Sequence, residues 1–116
     1  MLCTLLAGCV QHTVKSTSVP ALQGSSEPIP EALLLDVGIA IFDPGIDDYD
    51  EQEDERIYPE VRKAEARYMP NQLAQAMAQS GAWGAVRVVP ALDRVSDLNV
   101  RGSILVSDGE GLKLKV

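Results

Sequence analysis

The chain has 116 residues and a formal net charge of −7, with 10 Lys and Arg against 17 Asp and Glu. That length is typical of one domain and leaves no room for a second. The acidic balance argues against nucleic acid as a partner and against an electrostatic hold on anionic lipid. No run of about 18 apolar residues is present, so the sequence predicts no transmembrane helix.

A short apolar run at the N-terminus ends on Leu6-Ala7-Gly8-Cys9. This is the pattern at which a bacterial lipoprotein signal is cleaved and the new N-terminal cysteine is acylated. Small residues fit the narrow protease site, and Cys9 supplies the thiol. Each buried methylene of an acyl chain contributes about 0.8 kcal/mol, so stable anchoring takes more than one chain. The pattern predicts a palmitate-type membrane anchor at Cys9.

The segment before Cys9 is shorter than an ordinary signal peptide. It contains no Lys or Arg, whereas secretory signals have a positive region and an apolar stretch of about 7–15 residues. One interpretation is that the start of the signal is missing or misassigned. The alternative is a chance apolar N-terminus with a buried free cysteine. Val10, where some lipoproteins have Asp, favours the periplasmic face of the outer membrane, by analogy with bacterial lipoproteins.

Three segments follow from these patterns. Residues 1–9 are the predicted lipoprotein signal. Residues 10–30 are rich in Ser, Thr, Pro and Gln and lack periodicity, which is typical of a flexible linker. Residues 31–116 predict a small α/β domain. Because the last residues alternate like a strand up to Val116, we expect this domain to be truncated at its C-terminus.

The predicted domain starts with a buried strand. Residues 32–43 are a dense apolar run that is short for a helix, and they predict a central strand covered on both faces. Pro44-Gly45 ends that strand. Residues 43–55 contain eight carboxylates and predict a solvated, extended loop.

Residues 58–80 have a helical composition, with Pro59 suited to the first turn and Gly81 to the C-terminal stop. Pro70 removes a hydrogen bond inside this segment. The sequence therefore predicts either a kink near Tyr68 or a second helix that starts at Pro70. The expected apolar stripe consists of Val61, Ala64, Tyr68, Leu73, Ala76 and Met77.

Three further strand signals follow the helix. Residues 82–90 predict a short strand, and residues 98–107 predict one alternating strand with Leu98, Val100, Ile104 and Val106 on one face. A turn at 107–111 and alternation over 112–116 complete a hairpin. A helix between the first two strands implies that they are parallel. The predicted fold class is α/β: a small mixed sheet of strand, kinked helix, strand and hairpin, with the helix on one face.

Four pieces of the chain carry a resemblance to known envelope lipoproteins: VGIAIFD at 37–43, LAQAMAQSGAW at 73–83, VRVV at 86–89 and DLNVRGSI at 97–104. Together they resemble the small α/β domain of the Tol-Pal propeller protein, the curli secretion lipoprotein and the lipoprotein activator of penicillin-binding proteins. RYMP at 67–70 and WGAVRVVP at 83–90 resemble an uncharacterised proteobacterial lipoprotein family. The resemblance spans residues 33–107 and implies a fold and an envelope location. It supplies no catalytic residues, and a shared fold does not fix function.

The acidic loop is a candidate site for a divalent cation, because calcium prefers carboxylate oxygens. The candidate ligands are Asp47, Asp48, Asp50 and Glu51. Their spacing lacks the turn glycine of the usual calcium loop, so a solvated loop without metal is the favoured interpretation. No cofactor is predicted.

The sequence argues against an enzyme. His12 is the one histidine and lies in the predicted linker, while Cys3 and Cys9 both lie in the predicted signal and its acylation site. A Ser-His-Asp or Cys-His set would need a histidine within the fold. We therefore expect a non-enzymatic, lipid-anchored binding or assembly module for another envelope protein. The alternatives are a cation-binding module that uses residues 43–55, or a fragment of a longer protein.

Two aromatic residues are candidates for the contact with that partner. Trp83 lies between Gly81 and Gly84, and Trp is enriched at interface hot spots. Tyr68 belongs to the predicted helix. The competing interpretation for Trp83 is that it packs under the helix end as a large core residue. That interpretation is favoured because the domain has few aromatic residues.

Overall fold

The computed structural model describes residues 18, 20–24, 26–47, 57–92 and 94–116. A short 3-10 turn at Glu31–Leu33 precedes the regular elements. These are β1 (Val37–Ala40), α1 (Pro59–Ser80), β2 (Val86–Val89), β3 (Leu98–Val100), β4 (Ser103–Ser107) and β5 (Leu112–Lys115). One helix, a parallel sheet and an antiparallel hairpin make up the predicted α/β class.

The parallel sheet has the strand order β2-β1-β3, with β1 at its centre. Val37 lies opposite Val86 on one side and Leu98 on the other. All four residues of β1 are buried, which confirms the prediction of a central strand covered on both faces. The predicted parallel pairing of the first two strands is also confirmed.

The core is built around β1 and receives one residue from the hairpin. Its buried members are Val37, Ile39, Phe42, Ala66 and Ile104. Partly buried side chains of α1, β2, β3 and β5 pack around this cluster. Because Ile104 belongs to β4, the same core joins the parallel sheet to the hairpin.

The helix α1 runs without a break through Pro70, so the alternative of a second helix starting at Pro70 is wrong. Proline lacks the N–H that would bond to the carbonyl oxygen of Ala66. That oxygen instead accepts a hydrogen bond of 2.9 Å from the backbone N–H of Phe42. The lost helical bond is thus replaced by a tertiary one. The predicted start at Pro59 and stop at Gly81, whose φ is +68°, are confirmed.

The predicted apolar stripe of α1 is right in its second half and wrong in its first. Leu73 and Met77 pack against the core, but Val61 and Tyr68 are more than half exposed. The buried helix residues are Arg62, Ala66 and Pro70. The prediction failed because Arg62 occupies a core-facing position, where the apolar stem of an arginine can pack.

The single strand predicted over residues 98–107 is divided in two. Arg101 and Gly102 separate β3, which joins the parallel sheet, from β4, which pairs antiparallel with β5. A Cβ atom on Gly102 would lie 2.6 Å from the ring of Phe42, so the ring requires glycine there. The predicted hairpin is confirmed, with a register shift between Ile104 and Val106. That shift leaves Val106 39% exposed rather than on the inner face.

Candidate functional site

The β4–β5 hairpin has one face toward the core and exposed apolar side chains elsewhere. Ile104 lies opposite Leu114 in the antiparallel register, and both contact the core. The exposed large apolar side chains of the hairpin and its end are Leu105, Val106, Leu112 and Val116. The hairpin therefore presents several apolar side chains at the surface.

The strand β5 pairs with β4 and with no other strand of the described chain. Its two lysines, Lys113 and Lys115, are exposed. Within the part of the chain that the structure describes, neither lysine is in an ion pair. Among the described residues, the outer edge of β5 thus combines backbone groups that no other strand pairs and two lysines that no carboxylate pairs, in a protein whose net charge is −7.

The tip of the hairpin is held by its own turn. The Oδ1 atom of Asp108 accepts hydrogen bonds from the backbone N–H groups of Glu110, at 3.0 Å, and Gly111, at 2.9 Å. An aspartate side chain that caps the following backbone amides is a common turn device. Gly109 has a φ of +85°, which an L side chain rarely adopts. The turn therefore fixes the register of the two strands.

Polar contacts from α1 hold the hairpin against the helix. The Nη1 atom of Arg62 donates to the carbonyl oxygen of Ile104 at 3.2 Å and to that of Pro44 at 3.3 Å. The hydroxyl of Ser107 donates to Oε1 of Glu65 at 2.8 Å. Arg62 is 3% exposed, so its guanidinium is a buried link between the helix, the hairpin and the loop after β1.

The two aromatic candidates lie in different environments. Trp83 is partly buried and packs against the core cluster, as the competing interpretation predicted. Tyr68 is 57% exposed on α1 and is accessible to a partner. Whether either residue contacts a partner stays a prediction.

Most of the residues predicted to carry chemistry lie outside the described part of the chain. They are Cys9 of the predicted anchor and Asp48, Asp50 and Glu51 of the acidic loop. Asp47 is described and is exposed. Within the described ranges, no group of three or more His, Cys, Asp or Glu is arranged to hold a metal ion.

One surface ion pair changes the titration of a helix carboxylate. The Nζ atom of Lys63 lies 2.8 Å from Oε1 of Glu60, three residues earlier on α1. The hydrogen bond from Lys63, together with its positive charge, holds the pKa of Glu60 below its ordinary value. Both side chains are exposed, so this pair stabilises the first turn only weakly.

Arg62, Glu65 and Ser107 were not predicted as site residues from the sequence, and the structure brings them together between α1 and the hairpin. A signal for Arg62 was available. It lies four residues before Ala66 and eight before Pro70, and such spacing places all three on one helix face. No comparable sequence signal pairs Glu65 with Ser107, because their contact spans 42 residues.

Comparisons with protein-family models, with curated proteins and with solved structures find no match to this chain. The resemblance to envelope lipoproteins therefore stays a prediction. Among the described residues, no helix is both long enough and apolar enough to span a bilayer.

Proposed function

We propose that this protein is a lipid-anchored envelope protein whose folded domain is a non-enzymatic docking module. In this proposal Cys9 attaches the chain to the periplasmic face of the outer membrane. Residues 10–30 give the domain reach, and the β4–β5 hairpin binds another envelope protein. The anchor is supported by the Leu6-Ala7-Gly8-Cys9 pattern. The docking role is supported by the exposed edge of β5.

The observation that carries the docking role is the outer edge of β5. An unpaired strand edge is a template for an extended segment of another protein, whose main chain supplies the affinity. Leu112 and Val116 offer exposed apolar contacts along that edge. We therefore propose that the partner adds a strand beside β5.

The charge of β5 selects the kind of segment that would bind. If two copies of β5 paired with each other, Lys113 and Lys115 of one copy would lie opposite the lysines of the other copy. Like charges directly opposite each other destabilise a sheet. Lysine on an edge strand is a device that discourages self-association. Acidic side chains opposite the same lysines would contribute about 0.2–1 kcal/mol each. The proposed partner segment is therefore extended and acidic.

The anchor is tested by radiolabelled palmitate incorporation, intact mass and membrane fractionation in a Gram-negative host. We expect a lipidated mass that starts at Cys9 in the outer-membrane fraction. The Cys9→Ser variant should be unlabelled and released from the membrane. A membrane-bound Cys9→Ser variant, processed like the parent, would contradict the anchoring proposal.

The docking edge is tested by placing a photoreactive residue at Leu112 in cells, with Tyr68 and the distant Leu33 as comparison positions. We expect a discrete cross-link to one envelope protein from Leu112, and its loss when Lys113→Glu and Lys115→Glu are combined. A cross-link from Tyr68 alone would assign the contact to the helix instead. A cross-link to a second copy of this chain, or one that survives charge reversal, would contradict an acidic hetero-partner.

A further inference from the structure

An open cleft lies at the carboxyl ends of the three parallel strands. Its volume is about 460 Å³, and its walls include Ile41 after β1, Leu92 after β2 and Arg101 after β3. In open α/β sheets, ligands bind outside the carboxyl ends of the strands, at the point where the strand order reverses. The order β2-β1-β3 has such a reversal at β1. The cleft therefore lies where a sheet of this kind commonly binds a small ligand.

The cleft reaches the face of the sheet that α1 does not cover. Ile39 packs in the core with Ala66 of α1, so its neighbours Gly38 and Ala40 belong to the opposite face of β1. A Cβ atom on Gly38 would lie 2.6 Å from the Oγ atom of Ser96, so the connection from β2 to β3 packs on that face. Ala40 lines the cleft on the same face. Its single methyl group leaves space that a larger side chain would fill.

Two exposed side chains of opposite charge, Arg101 and Asp43, line the cleft. Among the described residues, neither of them is in an ion pair. The Oδ1 atom of Asp43 accepts a hydrogen bond of 2.8 Å from the backbone N–H of Gly45, and within the same described ranges its Oδ2 atom has no partner. Because both side chains are exposed, a ligand in the cleft can reach a guanidinium and a carboxylate oxygen.

The other side chains of the cleft include three aliphatic ones, Ala40, Ile41 and Leu92. Ile41 is 39% exposed, and Leu92 is partly buried. An apolar group that covers them gains about 25 cal/mol for each Å² removed from water. The volume also falls in the range of about 300–1,000 Å³ that is usual for small-molecule sites. The cleft thus combines a cation, an anion and an aliphatic surface.

We propose that this cleft binds a free α-amino acid with an aliphatic side chain, such as leucine. The carboxylate of the ligand pairs with the guanidinium of Arg101, whose planar fork of donors matches a carboxylate. The ammonium group of the ligand pairs with the Oδ2 atom of Asp43, and the aliphatic side chain contacts Ile41 and Leu92. A ligand with a single charge would leave Arg101 or Asp43 without a counterion. None of the lining residues belongs to β5, so this proposal does not depend on the docking edge.

The test is a titration of the full chain carrying Cys9→Ser with L-leucine, followed by NMR at the backbone amides of Arg101 and Gly102, which line the cleft. The comparison probes are N-acetyl-leucine, which lacks the ammonium group, and leucinamide, which lacks the carboxylate. We expect saturable shifts with leucine, with a dissociation constant on the order of 1 mM for so few atoms. Each comparison probe should bind at least about ten-fold more weakly, because it loses one hydrogen-bonded charge pair.

Variants locate the binding. Arg101→Gln removes the positive charge, and Asp43→Asn removes the negative charge while keeping an oxygen that can accept from Gly45. Each should weaken leucine binding by about ten-fold or more. The controls are Arg67→Gln and Glu110→Gln, which remove the same charges at exposed positions outside the cleft and should leave binding unchanged. A thermal melt of each variant checks that it is folded, and if one unfolds, the three probes on the parent chain still decide.

Other results overturn the proposal in defined ways. Equal or tighter binding of N-acetyl-leucine would make the cleft a carboxylate site, and equal or tighter binding of leucinamide would make it an amine site. Leucine binding that survives both Arg101→Gln and Asp43→Asn would place the ligand elsewhere on the protein. No shift at Arg101 or Gly102 with any of the three probes would mean that the cleft holds solvent alone.

Discussion

The central strand β1 and the β4–β5 hairpin are stabilised by different means. β1 is paired on both sides, and each of its residues is buried. The hairpin adds Ile104 to the buried core, with Leu114 packing beside it. Two polar links also tie it to α1, one through Arg62 and one through Glu65 with Ser107.

In this small domain, the most stable strand is thus also the least accessible one. β1 is stabilised by apolar burial, and the packing that buries its side chains also makes the strand inaccessible to other molecules. Hydrogen bonds to a few points hold the hairpin while its outer edge stays open. A two-stranded hairpin is marginal alone in water, so these links help to hold β5 and its outer edge in place. Four substitutions test this contrast, and they follow in order of decreasing effect.

The largest effect is expected from a cavity in β1. Ile39 is 0% exposed, so Ile39→Ala should lower the free energy of unfolding by about 2–5 kcal/mol. Urea denaturation measures this change. The matched control is Leu105→Ala on the hairpin, 49% exposed, which should stay within about 0.5 kcal/mol. Equal losses from the two variants would refute the proposed contrast between strand and hairpin.

The second effect tests the buried guanidinium. Arg62→Ala leaves the carbonyl oxygens of Ile104 and Pro44 without their donor, and hydrogen bonds to charged groups contribute about 1.5–3 kcal/mol. We expect a loss in that range, with the amides of β4 and β5 exchanging faster than those of β1. Native-state hydrogen exchange measures this. Equally accelerated amide exchange in β1 and in the β4–β5 hairpin would show that Arg62 stabilises the whole fold and not the hairpin in particular.

The third effect tests the break between β3 and β4. Gly102→Ala would place a methyl group against the ring of Phe42, 2.6 Å from its nearest atom. We expect a loss of about 1–3 kcal/mol from overpacking, measured by thermal or urea unfolding. Gly111→Ala is the control, because nothing lies within 4 Å of its Cβ position. An unaffected Gly102→Ala variant would mean that Phe42 repacks freely.

The smallest effect concerns the surface of α1 and its dependence on pH. Lys63→Met should raise the pKa of Glu60 toward its ordinary value, as an NMR titration would detect, because the hydrogen bond and the positive charge are both lost. The folded pKa of Glu60 lies below the unfolded one. The contribution of this pair to stability is therefore present above the unfolded pKa and lost as pH falls through the folded pKa. An unchanged Glu60 titration would contradict this.

Much of the fold was predictable because it depends on local chemistry. The apolar run before Pro44-Gly45 predicted β1, and Pro59 and Gly81 predicted the helix ends through backbone geometry that these residues favour. The hairpin followed from alternation around a glycine-containing turn. In contrast, Pro70 predicted a disturbance that the N–H of Phe42 relieves, and no sequence pattern reports a hydrogen bond across 24 residues.

The candidate site was far less predictable than the fold. The sequence predicted Trp83 as a candidate partner contact and the acidic loop as a candidate cation site, whereas the structure brings Arg62, Glu65 and Ser107 together. Propensity treats arginine and glutamate on a helix as solvent-facing residues, since they are seldom buried. The burial of Arg62 and the partial burial of Glu65 follow from how the hairpin packs on α1, which local patterns do not contain.

The class of fold, the ends of the helix, the central position of β1 and the presence of a hairpin were predictable from the sequence alone. Each of these follows from periodicity or from the backbone preferences of Pro and Gly at adjacent positions. The tertiary structure alone decided that Pro70 stays within one helix, that residues 98–107 divide between two sheets, and that Arg62 is buried. These outcomes depend on contacts between residues distant in the chain, whose energies no local pattern records.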